Sequence, residues 1–97
     1  MANPDLLAAL LQAALAAELR HVRKLIEQLA ELLVCDEHFA ANYVDQLQAF
    51  DLLAQHTDES AAVLDRLAAG LGSHDAVAPV RLSAIQTRLR AALDQGA

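Results

Sequence analysis

Leu15, Leu19, Val22, Ile26, Leu29 and Leu33 recur at alternating steps of four and three. That rhythm returns an apolar side chain to one face of a helix at every turn and cannot serve a strand, whose faces alternate every two residues. Leu25 and Leu32 widen the stripe beyond a two-stranded seam, toward the face of a bundle helix. Asn3-Pro4-Asp5 supplies a start: Asn can cap, Pro suits the first turn, and Asp faces the positive helix end. Helix 1 is therefore expected from about residue 4 to residue 34, about eight turns. The rest of the chain agrees with helix. Of 97 residues, 22 are Ala and 19 are Leu, and the aromatics are only Phe39, Tyr43 and Phe50. Ala and Leu favour helix, and the shortage of aromatic and β-branched residues argues against an all-β or doubly wound α/β fold. An apolar content of 56% argues against disorder.

The chain reads as one all-α domain over residues 1–97. Cys35-Asp36-Glu37-His38 is the expected break, with Asp36 capping a second helix over about 37–69. Gly70 and Gly72 end it. Its apolar stripe is Tyr43, Leu47, Phe50, Ala54, Ala61, Leu64 and Ala68. Thr57-Asp58-Glu59-Ser60 could cap afresh, so a break near Thr57 is open. Residues 70–78 read as a loop and about 80–94 as a short third helix, with Leu82, Ile85, Leu89 and Leu93 inward. Ser83 and Gln86 form a possible capping box, which would leave the first turn of that helix extended. A two-helix hairpin leaves one flank of each stripe wet. The expectation is a long antiparallel helical hairpin plus a short third helix, dimerising into a four-helix-bundle core.

Charge limits the partners. Thirteen acids against seven bases give a net charge of −6, which opposes approach to a phosphate backbone, so no nucleic acid is expected. The longest uncharged stretch, Leu6 to Ala17, is too short to span a bilayer, so no membrane is expected. That stretch imitates a signal peptide but has Asp5 where a basic region belongs. Cys35 has no partner for an internal disulfide and reads as a small apolar filler near the turn. A cytoplasmic location fits best.

Two clusters carry chemistry. In the second helix, Asp51 and Gln55 lie one turn apart, so their side chains sit side by side on a face away from Phe50 and Ala54. Gln48 shares that face, and Leu52 on its flank is a plausible docking contact. Asp51 is the only Asp followed four positions on by Gln. The segment Gln48-Ala-Phe-Asp51-Leu52-Leu-Ala-Gln55-His56 resembles the CheZ-type phosphatases of bacterial chemotaxis, and still more their small helical CheT-like relatives. Those proteins dephosphorylate phospho-aspartyl response regulators through an Asp-x-x-x-Gln motif on the long helix of a hairpin. The resemblance implies that Gln55 orients the attacking water and that Asp51 pairs with the receiver's active-site lysine. Gln48, Leu52 and His56 would form the contact around them. The Mg²⁺ would come from the phosphorylated receiver domain, the chain having no cofactor of its own. Phe50 stands where the family often has Gln, and the chain is shorter than the longer members.

The second cluster is Arg20-His21-Val22-Arg23-Lys24, with three of the seven Lys and Arg residues. His21 and Lys24 give His-x-x-Lys, part of the phosphotransfer-domain signature, so an alternative is a histidine phosphotransfer protein using His21. Arg20, Arg23 and Lys24 could instead face the acidic rim of a receiver. Another alternative is a non-catalytic helical-bundle adaptor in which these residues only meet solvent. Glu18 and His21 match the Glu-x-x-His of di-iron bundles, but no second copy exists, so no metal is expected. His38, His56 and His74 have no ligand-like partners at helical spacing.

Overall fold

The computed structural model describes residues 4–96. Every regular element in it is a helix: α1 (Pro4–Val34), α2 (Glu37–Asn42), α3 (Val44–Ala68), α4 (Ser73–Val77) and α5 (Ser83–Asp94). The expected Asn3 cap lies outside the described residues. α1 packs along α3. The direction follows from the side chains that meet: Arg20 reaches Asp65 and Arg23 reaches Asp58, so one helix ascends as the other descends.

The wide apolar stripe of α1 is divided by this contact. Ala16 is fully buried, and Leu19, Ile26, Ala30 and Leu33 are half-buried. Leu15, Val22, Leu25, Leu29 and Leu32 each remain more than two-fifths exposed. The heptad reading treated Leu15, Val22 and Leu29 as one seam with Leu19, Ile26 and Leu33. A single partner helix covers only one of those two adjoining rows.

Between α1 and α2, Asp36 acts as the expected cap, its Oδ1 accepting from the Phe39 amide at 2.9 Å. The expected single helix over 37–69 is interrupted at Tyr43, not near Thr57. Tyr43 has φ −130° and ψ 40°, outside the helical region, and both ends α2 and begins α3. The local chemistry accounts for this. The Asn42 Nδ2 donates to the His38 carbonyl at 2.8 Å, competing with the backbone for that acceptor. Tyr43 stacks on Phe39, with ring centroids 4.9 Å apart. Its side chain is 42% exposed, so Tyr43 leaves the buried stripe assigned to it. Thr57 stays helical, its Oγ1 donating to the Ala54 carbonyl at 2.8 Å instead of capping.

α3 ends in a Schellman motif. The Gly70 amide bonds the Leu67 carbonyl at 3.0 Å, and the Leu71 amide bonds the Arg66 carbonyl at 3.1 Å. Gly70 has φ +98°, the left-handed conformation the motif requires.

The best-formed core lies beyond this stop. Val63, Ala76, Val77, Val80 and Ile85 are buried together, with Leu67, Leu82, Leu89 and Leu93 against them. The segment read as a loop over 70–78 thus contains a helical turn, α4, whose Ala76 and Val77 are buried. Its polar residues Ser73, His74 and Asp75 are exposed and masked that turn in the pattern. The Arg66 Nε donates to the Ala76 carbonyl at 2.7 Å, tying α4 to α3. The third helix starts at Ser83, with residues 80–82 before it, and Leu82 at its N-cap makes no side-chain cap. The capping box does not form, because the Gln86 Nε2 donates to the Ala78 carbonyl at 3.0 Å.

Gly70→Ala should lower stability by about 1–2 kcal/mol, since nothing crowds a Cβ there and the cost is the backbone conformation alone. Thermal unfolding should fall by about 4–8 °C for each kcal/mol lost. Asp36→Ala should cost about 1 kcal/mol in the same measurement.

Candidate functional site

α3 carries aspartates at 51, 58 and 65, seven residues apart. Seven residues are two turns, so the three carboxylates form a line along one flank of the helix. α1 answers two of them. The Arg20 guanidinium lies 2.6 Å from Asp65, and Arg23 lies 3.2 Å from Asp58 and 2.8 Å from Glu27 on its own helix. Asp51 has no arginine. It and Gln55 are exposed, and neither side chain makes a hydrogen bond or ion pair with another described residue.

Gln55 sits where two shallow grooves meet. One is lined by Arg23, Glu27, Asp51, Ala54 and Asp58. The other, about 470 Å³, is bounded by Arg20, Asp58, Glu59, Ala62, Arg81 and Leu82. Arg81, before α5, closes the far rim through a 3.2 Å contact from its Nε to the Glu59 carboxylate.

The other sequence candidates are placed as follows. Gln48 and Leu52 are exposed on α3, Gln48 at seven positions from Gln55 and so on the same flank. His56 is half-buried and shares its face with Val63, two turns on, which turns it away from α1. Arg20 and Arg23 are exposed but already paired with acids of the same chain. Lys24 and His21 are exposed and make no such pair among the described residues. α1 and α3 are antiparallel, and His21 is level with the stretch between Asp58 and Asp65, with Asp51 about two turns nearer the hairpin turn.

The line of aspartates and its arginine partners are neighbours of Asp51 and Gln55 that pattern reading missed. The signal was present as the seven-residue Asp spacing opposite Arg20 and Arg23. The meeting of Arg81 with Glu59 was not legible, because it depends on where the chain returns after α4.

The arrangement offers a free amide and a free carboxylate side by side, backed by neighbours that are electrostatically satisfied. Such a pair can accept and donate hydrogen bonds and can meet a cation. No three His, Cys, Asp or Glu side chains among the described residues gather as a metal-ligand set. No described helix is long and apolar enough to cross a membrane. Family models, curated proteins and solved structures yield no match to this chain.

Asp58→Asn should cost at most about 1 kcal/mol of stability, because both partners of its ion pair are nearly half exposed, and the loss should shrink in high salt. Asp51→Asn should leave stability within about 0.5 kcal/mol at any salt. Denaturant melts of both variants at low and high ionic strength check the contrast.

Proposed function

We propose that this chain accelerates dephosphorylation of a phospho-aspartyl response-regulator receiver domain, with Gln55 and Asp51 as the residues it contributes. The observation that carries the reading is that Asp51, alone of the three aligned aspartates, has no arginine and stands exposed beside the free amide of Gln55. A phosphoaspartate is an acyl phosphate activated by the receiver's own Mg²⁺, and it needs a positioned water. In the reaction, water oxygen attacks phosphorus, the bond from phosphorus to the aspartyl oxygen breaks, and the carboxylate and inorganic phosphate leave. The Gln55 carbonyl oxygen would accept a hydrogen from that water, orienting its lone pair toward phosphorus. Its amide brings no negative charge to the phosphoryl oxygens. Asp51, with no cation among the described residues to hold it, would meet the receiver's lysine. Leu52, half exposed on the next flank, and Gln48 would supply the surrounding contact. The rate gain would come from positioning.

Arg20 and Arg23 enter this reading differently from a docking patch. Their charges are met by Asp65, Asp58 and Glu27, so they hold the groove in register, and Lys24 is the cation of the cluster without an ion pair among the described residues. A phosphotransfer reading retains an exposed His21 as phosphoacceptor.

The test is to mix the protein with a phosphorylated receiver domain and to follow phosphate release and label transfer together. Release should be faster with the protein present, and Gln55→Ala should remove about 10²-fold or more of that acceleration while leaving the melting curve unchanged. Label moving to the protein, and lost in His21→Ala, would establish phosphotransfer in its place. Unchanged release with every receiver tried would leave the bundle-adaptor reading.

A further inference from the structure

We infer that Arg81 is a positioning residue of the Gln55 groove, its guanidinium gripping an oxyanion of the docked receiver domain beside the reacting centre. This rests on the phosphatase reading, since it names what the receiver must present to that groove.

The segment between α4 and α5 explains how Arg81 comes to be there. Residues 80–82 are not helical, and Leu82 has φ −78° and ψ 108°, an extended backbone. Side chains alternate between opposite sides of an extended chain. Val80 is buried and Leu82 packs against the same core, so Arg81 between them is turned outward. The stalk on which it stands is fixed. The Val80 amide bonds the Val77 carbonyl at 3.0 Å, and the Arg66 and Gln86 side chains donate to the Ala76 and Ala78 carbonyls. The core of α4 and α5 therefore carries an arginine back over α3, to the groove lined by Gln55, Asp58 and Glu59.

Its pairing separates it from the other arginines of the groove. Arg20 closes on Asp65 at 2.6 Å, and Arg23 is held by two carboxylates. Arg81 meets an acid through its Nε alone, the Glu59 carboxylate at 3.2 Å. Glu59 is 12% exposed and Arg81 is 91% exposed, so the acid is the anchored member of the pair and the arginine the projecting one. The terminal nitrogens of Arg81 make no hydrogen bond with another described residue. A guanidinium fastened through Nε still presents the parallel N–H pair of those two nitrogens, the fork that grips a carboxylate or a phosphoryl group through two hydrogen bonds. Glu59 follows Gln55 by four positions, so the anchor of the fork is one turn of α3 from the amide, and one partner can meet both. Charge gives the fork its task. A receiver that carries a phosphoaspartate and holds Mg²⁺ through oxygen ligands presents an acidic surface. Asp51, Asp58 and Glu59 repel it, and Arg20 and Arg23 are engaged with acids of their own chain. Arg81 offsets that repulsion at hydrogen-bond range, and so lengthens the stay of a docked receiver.

Release of phosphate from a phosphorylated receiver domain, followed against receiver concentration, tests the role. Arg81→Ala should raise the half-saturating concentration about 10-fold and leave the maximal rate within about 2-fold, the pattern of lost uniform binding. Gln55→Ala should lower the maximal rate instead. Arg81→Gln keeps a donor for Glu59 and removes the charge, so it should saturate as late as Arg81→Ala while melting like the wild type. Arg81→Lys, with the charge but without the fork, should fall between. Direct titration of the same variants locates the oxyanion. Weaker binding of both phosphorylated and unphosphorylated receiver supports a receiver carboxylate, and weaker binding of the phosphorylated form alone supports the phosphoryl oxygens. An arginine that served only to hold Glu59 would be replaced by glutamine without loss, so wild-type saturation in Arg81→Gln overturns the inference. So does unchanged saturation in Arg81→Ala, and with Gln55→Ala still inactive the phosphatase reading then stands alone. No acceleration by the wild-type chain overturns both.

Discussion

The contact between α1 and α3 is the constraint on which the rest depends. Two helices can bury only the row each turns to the other, and here the fully buried points on that line are alanines, Ala16 and Ala61. Small side chains let the backbones come close, but they remove little apolar area from water. Direction and register are then settled by what flanks the alanines. Arg20 with Asp65 and Arg23 with Asp58 act as two pins across the seam. Each is a half-exposed ion pair of small net worth, yet a register slip by one turn would set both arginines against the wrong neighbours. The larger core of α3, α4 and α5 braces α3 from behind without touching that register.

The same pins create the groove. Asp51, Asp58 and Asp65 are equivalent by position and differ only in what α1 presents to them. Where α1 offers arginine, the carboxylate is occupied in holding two helices together. Where it does not, at Asp51, the carboxylate is left over beside Gln55. A carboxylate repeated three times along a helix thus serves as a pin at two steps and, among the described residues, is left unpaired at the third.

Helix content, the span of α1, the cap at Asp36 and the stop at Gly70 were legible, because each depends on local chemistry or on apolar period. The pattern also separated Asp51 and Gln55 from Phe50 and Ala54. What escaped was whatever depends on a second element. The α1 stripe held two rows, and only a single neighbour of known position could say that Leu19 and Ile26 turn inward while Val22 and Leu25 do not. The break at Tyr43 escaped because Asn42 and the Phe39 ring decide it from outside the apolar pattern. The α4 turn escaped because Ser73, His74 and Asp75 outweighed the buried Ala76 and Val77 behind them. Gln86 fitted a capping box by spacing, but the Ala78 carbonyl offered it a nearer partner.

The internal pairing of Arg20 and Arg23 bears on how fast any acidic partner could be captured. Electrostatic steering needs a net field reaching beyond the surface, and a cation with a carboxylate about 3 Å away projects little more than a dipole. An acidic partner meeting the Gln55 groove would gain no steering from these two arginines and would meet the net charge of −6 instead, so its association would not exceed the about 10⁵–10⁶ M⁻¹s⁻¹ of complexes without steering. Specificity at such a groove would be decided after collision, in how long a partner stays, and so by dissociation rate.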